Sequence, residues 1–235
     1  MKVRCSHELF EMFPAASIHG AIFDHVNYFS VEAAEYWKHQ AMKSVREGGI
    51  RPELLVDSPA IKEWRKAFKT FGVKPSKYRS SIEQLYKMAL KGNIIQTRLP
   101  LVNLYCYVSL IHMVPMGGYD LQSVQGDITV RLTKQGEVFT PIGESEPIRC
   151  DPGVVVYADE AEIICWAWNH RDASCTCLNV ETRKAIFFAD SASEESRDRA
   201  AEAIGLLSKA LLSEGTIKLG YFVLDQQQNE AHISI

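Results

Sequence analysis

The apolar positions of the chain keep a helical rhythm through its first hundred residues and then change to alternation. Residues 31–47 read as a helix that ends at Gly48-Gly49, where glycine allows the chain reversal of a C-terminal cap. Ser58-Pro59 opens a second predicted helix, with a capping side chain followed by proline at the first helical position. Its apolar stripe is Ile61, Trp64, Phe68 and Phe71, while Lys62, Arg65, Lys66 and Lys69 take the other faces. Gly72 and Pro75 end it. Ser80-Ser81-Ile82-Glu83 supplies a capping box for a third helix that buries Ile82, Leu85, Tyr86 and Ala89 and stops at Gly92. Residues 101–113 are almost all apolar, and their periodicity fits a buried helix or a strand equally.

Beyond Gly126, Ile128, Val130 and Leu132 share one side of a predicted strand. Lys134-Gln135-Gly136-Glu137 then reads as a turn and residues 138–142 as the returning strand of a hairpin. Further short strands are expected at 154–157, 163–168, 177–180 and 185–188, and earlier in the chain around Ala21-Ile22-Phe23. Ser193 caps a long helix through Leu212, with Ala200, Ile204, Leu207 and Leu211 on its buried face, and a last strand covers 217–224. The whole reads as an α+β chain with helices flanking a mostly antiparallel core. No repeat, low-complexity tract or linker forces a boundary, so a single domain over residues 1–235 is expected.

Apolar residues make up 46% and charged residues 23% of the chain, as in ordinary globular proteins. The first residues lack the apolar core of a signal peptide and no window is apolar enough for a membrane helix, so the expectation is a cytoplasmic protein without a membrane partner. The net charge of −3 is unevenly spread: residues 62–98 hold seven lysines and three arginines against Glu63 and Glu83, leaving a local charge of +8 and −11 elsewhere. Such a run is either one basic face or a pair of solvated amphipathic helices. Six scattered cysteines include no C-x-x-C pair; buried free thiols are expected, although Cys175 and Cys177 would share one face of a strand. That spacing leads to no expected metal, and the lack of a G-x-S-x-G elbow or a phosphate-binding glycine loop argues against a serine hydrolase or a nucleotide-binding protein; no cofactor is expected.

Residues 100–120 read P-L-V-N-L-Y-C-Y-V-S-L-I-H-M-V-P-M-G-G-Y-D. This is similar to a signature in which V-D-x-x-N-Y-V leads to P-x-x-x-F/Y-D. The following Gly126-Asp127-Ile128-Thr129-Val130-Arg131 matches a G-x-I-x-V-R strand, and Gly136-Glu137 with Phe139 matches a G-E hairpin. Tyr78-Arg79-Ser80-Ser81 and Trp168-Asn169-His170-Arg171-Asp172 resemble features of a freestanding branch. The chain thus resembles the B3/B4 domain, the tRNA-editing module of the phenylalanyl-tRNA synthetase beta subunit, over roughly residues 64–190.

The resemblance implies a three-layer α+β fold with an unusual β-sandwich, a pocket for an amino acid esterified to the 3′ end of tRNA, and hydrolysis of the wrong ester. The partner implied is the aminoacylated acceptor end of tRNA, with no DNA expected; the alternatives are a noncatalytic tRNA or amino-acid binding module, given the departures that follow, and an enzyme acting on a small amino-acid derivative, given the acidic balance outside residues 62–98. The departures fall at the chemistry: Asn103 stands for the signature's Asp, Cys106 for its Asn and Gly117 for the synthetase's His, and the synthetase's glutamate has no clear counterpart near 169–172.

An aminoacyl ester is already activated, so its hydrolysis needs an oriented water and oxyanion donors rather than a strong nucleophile. Asp172 and Asn169 are the candidate catalytic residues. Asn103, Gly117, Gly118, Asp120, Trp168 and Arg171 are the candidate substrate residues. Gly117-Gly118 would bring backbone N–H groups to a carbonyl, or simply make a tight turn. Arg171 and Asp172 would fix a ligand's charged groups, or pair with each other. Asn103 would orient a ligand, or satisfy local backbone. Lys66, Lys69, Tyr78 and Arg79 are the candidate RNA contacts, cations for phosphate and a ring for base stacking, against plain solvation. His112 and His170 read as core histidines.

Overall fold

The computed structural model describes residues 1–233. Its first half is mainly helical: β1 (Lys2–Cys5), α1 (His7–Met12), β2 (Ser17–Asp24), α2 (Val31–Glu47), α3 (Pro59–Thr70), α4 (Ser81–Ala89) and α5 (Pro100–His112). Strands then dominate: β3 (Met116–Asp120), β4 (Ile128–Leu132), β5 (Val138–Phe139), β6 (Ile148–Arg149), β7 (Val155–Ala158), β8 (Ile163–Trp166), β9 (Arg171–Asp172) and β10 (Ala185–Ser191). The chain closes with α6 (Glu194–Ser213), β11 (Ile217–Leu224) and β12 (Glu230–His232). A six-stranded sheet runs β12-β1-β4-β7-β8-β9, and a four-stranded sheet runs β11-β2-β10-β3. Among the described residues only the β1–β4 pairing is parallel.

Strand β10 shows how the layers are held, because successive side chains of a strand point to opposite faces. Phe187 meets Tyr105 of α5, with ring centroids 6.1 Å apart, while Phe188 meets Tyr157 of the other sheet at 5.1 Å. α5 and α6 therefore cover one face of the four-stranded sheet and the six-stranded sheet covers the other, giving three layers in a mixed α+β fold, with no closed barrel among the described residues. β10 is buried along its whole length. Such a strand reads as an uninterrupted apolar run rather than an alternation.

Local signals explain the starts of α2 and α4. Ser30 accepts a hydrogen bond from the Ala33 amide at the start of α2, and Ser80 accepts one from the Glu83 amide at the start of α4. Gly49 takes the left-handed conformation that ends α2. The apolar run after Pro100 is a helix, since α5 packs against α2 on one side and α6 on another and is buried nearly all round.

Several expectations are corrected. Ser58 does not cap α3; its hydroxyl donates back to the Leu55 carbonyl at 2.8 Å. The hairpin of 128–142 does not form: β4 sits between β1 and β7, and β5 pairs with β6. The turn is nevertheless fixed, because the Arg131 guanidinium reaches both oxygens of Glu137 at 2.9 and 2.6 Å. Residues 177–180 form no strand beyond a single bridge of Cys177 to Tyr119, so Cys175 and Cys177 do not share a strand face. β8 stops at Trp166, two residues earlier than expected.

Gly118 has a packing role. A β-carbon there would lie 2.7 Å from the Phe187 ring, within the buried layer. Gly118→Ala is expected to destabilise the fold by about 1–3 kcal/mol, the usual range for overpacking. Urea denaturation curves check this, and an unchanged midpoint would contradict it.

Candidate functional site

Two chain segments far apart in sequence meet at the C-terminal end of β10. Gly117 and Tyr119 come from β3, Asn169 and Asp172 from the turn and strand after β8, and Asp190 from β10; all line one cavity of about 40 Å³. Tyr119 and Gly117 lie two residues apart on a strand and so face the same side. Gly118 faces the opposite side, against Phe187 and Leu178.

The turn that builds the cavity wall is strained. Ala167 and Trp168 both take positive φ, 54° and 62°. This conformation costs an L residue roughly 1–2 kcal/mol each. Packing and hydrogen bonding hold it there. The Trp168 amide donates to the Val155 carbonyl at 2.6 Å, and its indole is wedged edge-on against Phe13 and Trp64 at 5.0 and 5.1 Å. Strain of this kind concentrates where the surrounding structure must aim particular side chains. Here it directs Trp168 and Asn169 into the cavity.

Two carboxyl groups face this space. Asp190 accepts from the Tyr157 hydroxyl and, at 3.4 Å, from the Asn169 amide nitrogen. Burial pushes its pKa up to about 7, against the opposing effect of these donors. The Trp168 indole N–H also lies toward Asp190, yet it falls short of hydrogen-bond geometry and remains unpartnered. Asp172 accepts from the Tyr119 hydroxyl at 3.0 Å. Burial likewise raises its pKa, partly offset by the Cys165 thiol and the Tyr119 hydroxyl. Asp172 keeps some exposed surface as a residue, but Tyr119 and Cys165 enclose its carboxyl, and that enclosure governs its ionisation.

No cation neutralises this pair among the described residues. The Arg171 guanidinium turns outward to the Ile142 carbonyl at 2.8 Å and to Glu144 at 3.5 Å, so the alternative of an Arg171–Asp172 ion pair is not realised. Burial lowers the pKa of His170 and favours the neutral ring, and its Nδ1 donates to the Arg79 carbonyl at 2.7 Å. Cys165 is no candidate nucleophile, because burial and then the Asp172 charge hold its thiol well above the usual range.

Gly117, Trp168, Asn169, Arg171 and Asp172 thus come together, whereas Asn103, Gly118 and Asp120 do not line the cavity. Asn103 is wholly engaged with Thr97, accepting from its amide at 2.7 Å and donating to its carbonyl at 3.1 Å. Asp120 accepts from Asn179 and Thr182 and so anchors the loop before β10. Asp190 escaped the sequence reading, although an Asp ending the apolar run 185–189 was a usable signal.

The basic candidates are distributed more widely. Tyr78 packs edge-on against Trp166 and His170 at 4.9 and 5.4 Å, beside the cavity turn, with the Lys77 ammonium 4.8 Å from its ring. Arg79 and Arg65 converge on the buried Glu83 at 3.4 and 2.7 Å, so two cations of the basic segment are drawn toward one carboxyl group. Lys66 and Lys69 line two separate grooves along α3. Among the described residues no three His, Cys, Asp or Glu side chains stand together as a metal site, and no helix is long and apolar enough to cross a membrane.

Comparison with known proteins agrees with this architecture. An N-terminal fragment of the phenylalanyl-tRNA synthetase beta-subunit from Pyrococcus horikoshii superposes with a TM-score of 0.51 at 10% identity, over 92% of this chain. The chain spans about half of that fragment, 49%, and at this identity the likeness is one of fold. Among curated proteins none matches. The profile of the B3/4 domain covers residues 63–212, well over half the chain. By that match and by its three-layer architecture, the chain belongs to the B3/4 domain family.

Proposed function

We propose that this protein binds the aminoacylated acceptor end of tRNA and hydrolyses the aminoacyl ester in trans. The observation that supports the reading is the assembly of Gly117, Asn169 and Asp172, from segments about fifty residues apart, around one small cavity. In the reaction, water adds to the ester carbonyl and the bond to the ribose oxygen breaks. A proton from the water passes to that oxygen, leaving a free amino acid and intact tRNA. Asn169 and Asp172 supply acceptors that position the reacting end, and Gly117 leaves room for the ester beside them. With its thiol protonated, Cys165 takes no covalent part. Trp168 and Arg171 frame the cavity, while Lys66, Lys69, Tyr78 and Arg79 contact phosphates and bases outside it.

Purified protein incubated with a panel of mischarged tRNAs tests this reading, with release of free amino acid as the expected result. Binding without turnover would favour a noncatalytic module instead, a reading supported by the cavity's small size, about 40 Å³. Affinity for tRNA is expected to fall steeply with salt, by a factor whose log–log slope grows by about 0.7–0.9 for each phosphate neutralised. Replacing Lys66, Lys69 and Arg79 together by Ala should lower that slope. Salt titrations of wild type and variant measure it, and equal slopes would remove these residues from the interface.

A further inference from the structure

The cavity presents more acceptors than donors: two carboxyl groups and an amide oxygen face it, against one unpartnered donor, the Trp168 indole N–H. Asp172 and Asp190 face it without an ion-pair partner among the described residues, and both tyrosine hydroxyls are already spent as donors to them. Asn169 is 7% exposed, and its Oδ1 is buried and unpartnered while its nitrogen is committed to Asp190. Three acceptor groups therefore surround one small space. An ammonium group carries three N–H donors and no acceptor. The volume, about 40 Å³, suits a group the size of one water and falls well short of the roughly 150 Å³ of a cavity that takes a benzene ring.

Resting on the deacylase reading above, we propose that the space between Asp172, Asp190 and Asn169 is a primary-ammonium subsite that takes the free α-amino group of an aminoacyl ester. The ester and the amino-acid side chain then lie at the mouth, toward Gly117 and Arg171, and the subsite itself does not choose among side chains. It chooses between a free and a blocked amine. An N-acyl group brings no positive charge, adds a carbonyl that would face carboxylates, and exceeds the space. A bound cation also reverses the preference of both carboxyls for the neutral form, since an adjacent opposite charge favours ionisation. Asp190 is thereby a specificity-determining residue alongside Asp172.

Alaninamide and N-acetylalaninamide test the subsite independently of hydrolysis, because the small methyl side chain makes little demand elsewhere. Binding is followed through the indole N–H resonance of Trp168, which lines the cavity. Alaninamide is expected to shift it saturably and N-acetylalaninamide to leave it unmoved. Asp172→Asn and Asp190→Asn are each expected to weaken alaninamide binding about 30-fold or more, the consequence of removing one partner of a buried charge pair. Equal responses to the two amides, no response to alaninamide, or unchanged affinity in both variants would overturn the proposal. Deacylation of aminoacyl-tRNAs and their N-acetylated forms separates the two readings. Equal hydrolysis of free and blocked forms removes the subsite and keeps the deacylase. Amine-selective binding without hydrolysis of any aminoacyl-tRNA keeps the subsite and removes the deacylase.

Discussion

Asp172→Asn is expected to slow single-turnover deacylation roughly 30- to 1,000-fold, equivalent to losing about 2–4 kcal/mol of electrostatic stabilisation at the transition state. The substitution keeps the shape and removes the charge. The Tyr119 hydroxyl, now 3.0 Å from the carboxylate, can donate to the Asn oxygen in its place. The fold should therefore survive: burial disfavours the ionised Asp172, and its neighbour Arg171 is engaged elsewhere, with Ile142 and Glu144. Melting curves measured beside the rates make the distinction. A variant that melts as well as wild type or better, and deacylates slowly, supports a chemical role. A variant with lowered melting, whose activity falls only with the folded fraction, assigns Asp172 to structure. Unchanged melting with unchanged rate leaves it neither.

Asp190→Asn is expected to raise stability at alkaline pH, by up to about 4 kcal/mol, since each pKa unit corresponds to roughly 1.4 kcal/mol. Burial lifts the folded-state pKa of Asp190 from 3.8 to about 7. In the window between these values the native state holds a proton that the unfolded chain has released, so stability falls as pH rises. The contribution is complete below about pH 4 and lost once pH has passed through about 7. The groups that face this carboxyl include Tyr157, Trp168, Asn169, Asp172 and the thiols of Cys5 and Cys165. Asp172, itself raised, acts in the same direction. Denaturant unfolding of wild type and Asp190→Asn from pH 4 to pH 8 should give curves that meet at the acid end and diverge upward. A variant less stable than wild type at pH 8 would mean that the Asp190 charge supports the fold, against this account.

Local physics made much of the scaffold legible in the sequence. The limits of α2 and β11 match the helix 31–47 closed by Gly48-Gly49 and the strand expected over 217–224, because capping and periodicity act within a few residues. The resemblance at 100–139 brought the fold family with it. Partnership between segments was not legible. Lys134 to Glu137 is a genuine turn signal, yet the strands on either side pair elsewhere, since β1 and β7 offer β4 longer buried partners than β5 does. Periodicity could not separate helix from strand at 101–113; α2 and α6 decided it by enclosing the segment on several sides.

The site divides in the same way. Asn169 and Asp172 were legible through the resemblance of the run 168–172, whereas Gly117 and Gly118, alike in sequence, were separated by the pleat of β3, one facing the cavity and the other Phe187. Asn103 and Asp120 had the right chemistry, and tertiary neighbours in the loops at Thr97 and Thr182 claimed their hydrogen bonds. Asp190 became part of the site only through folding, which brings Tyr157 and Asn169 to its carboxyl across 33 and 21 residues. A chain's local order sets which groups are available. The cost of burying a charge, and hence which carboxyl is held near neutrality, depends on atoms that only the packed structure places around it.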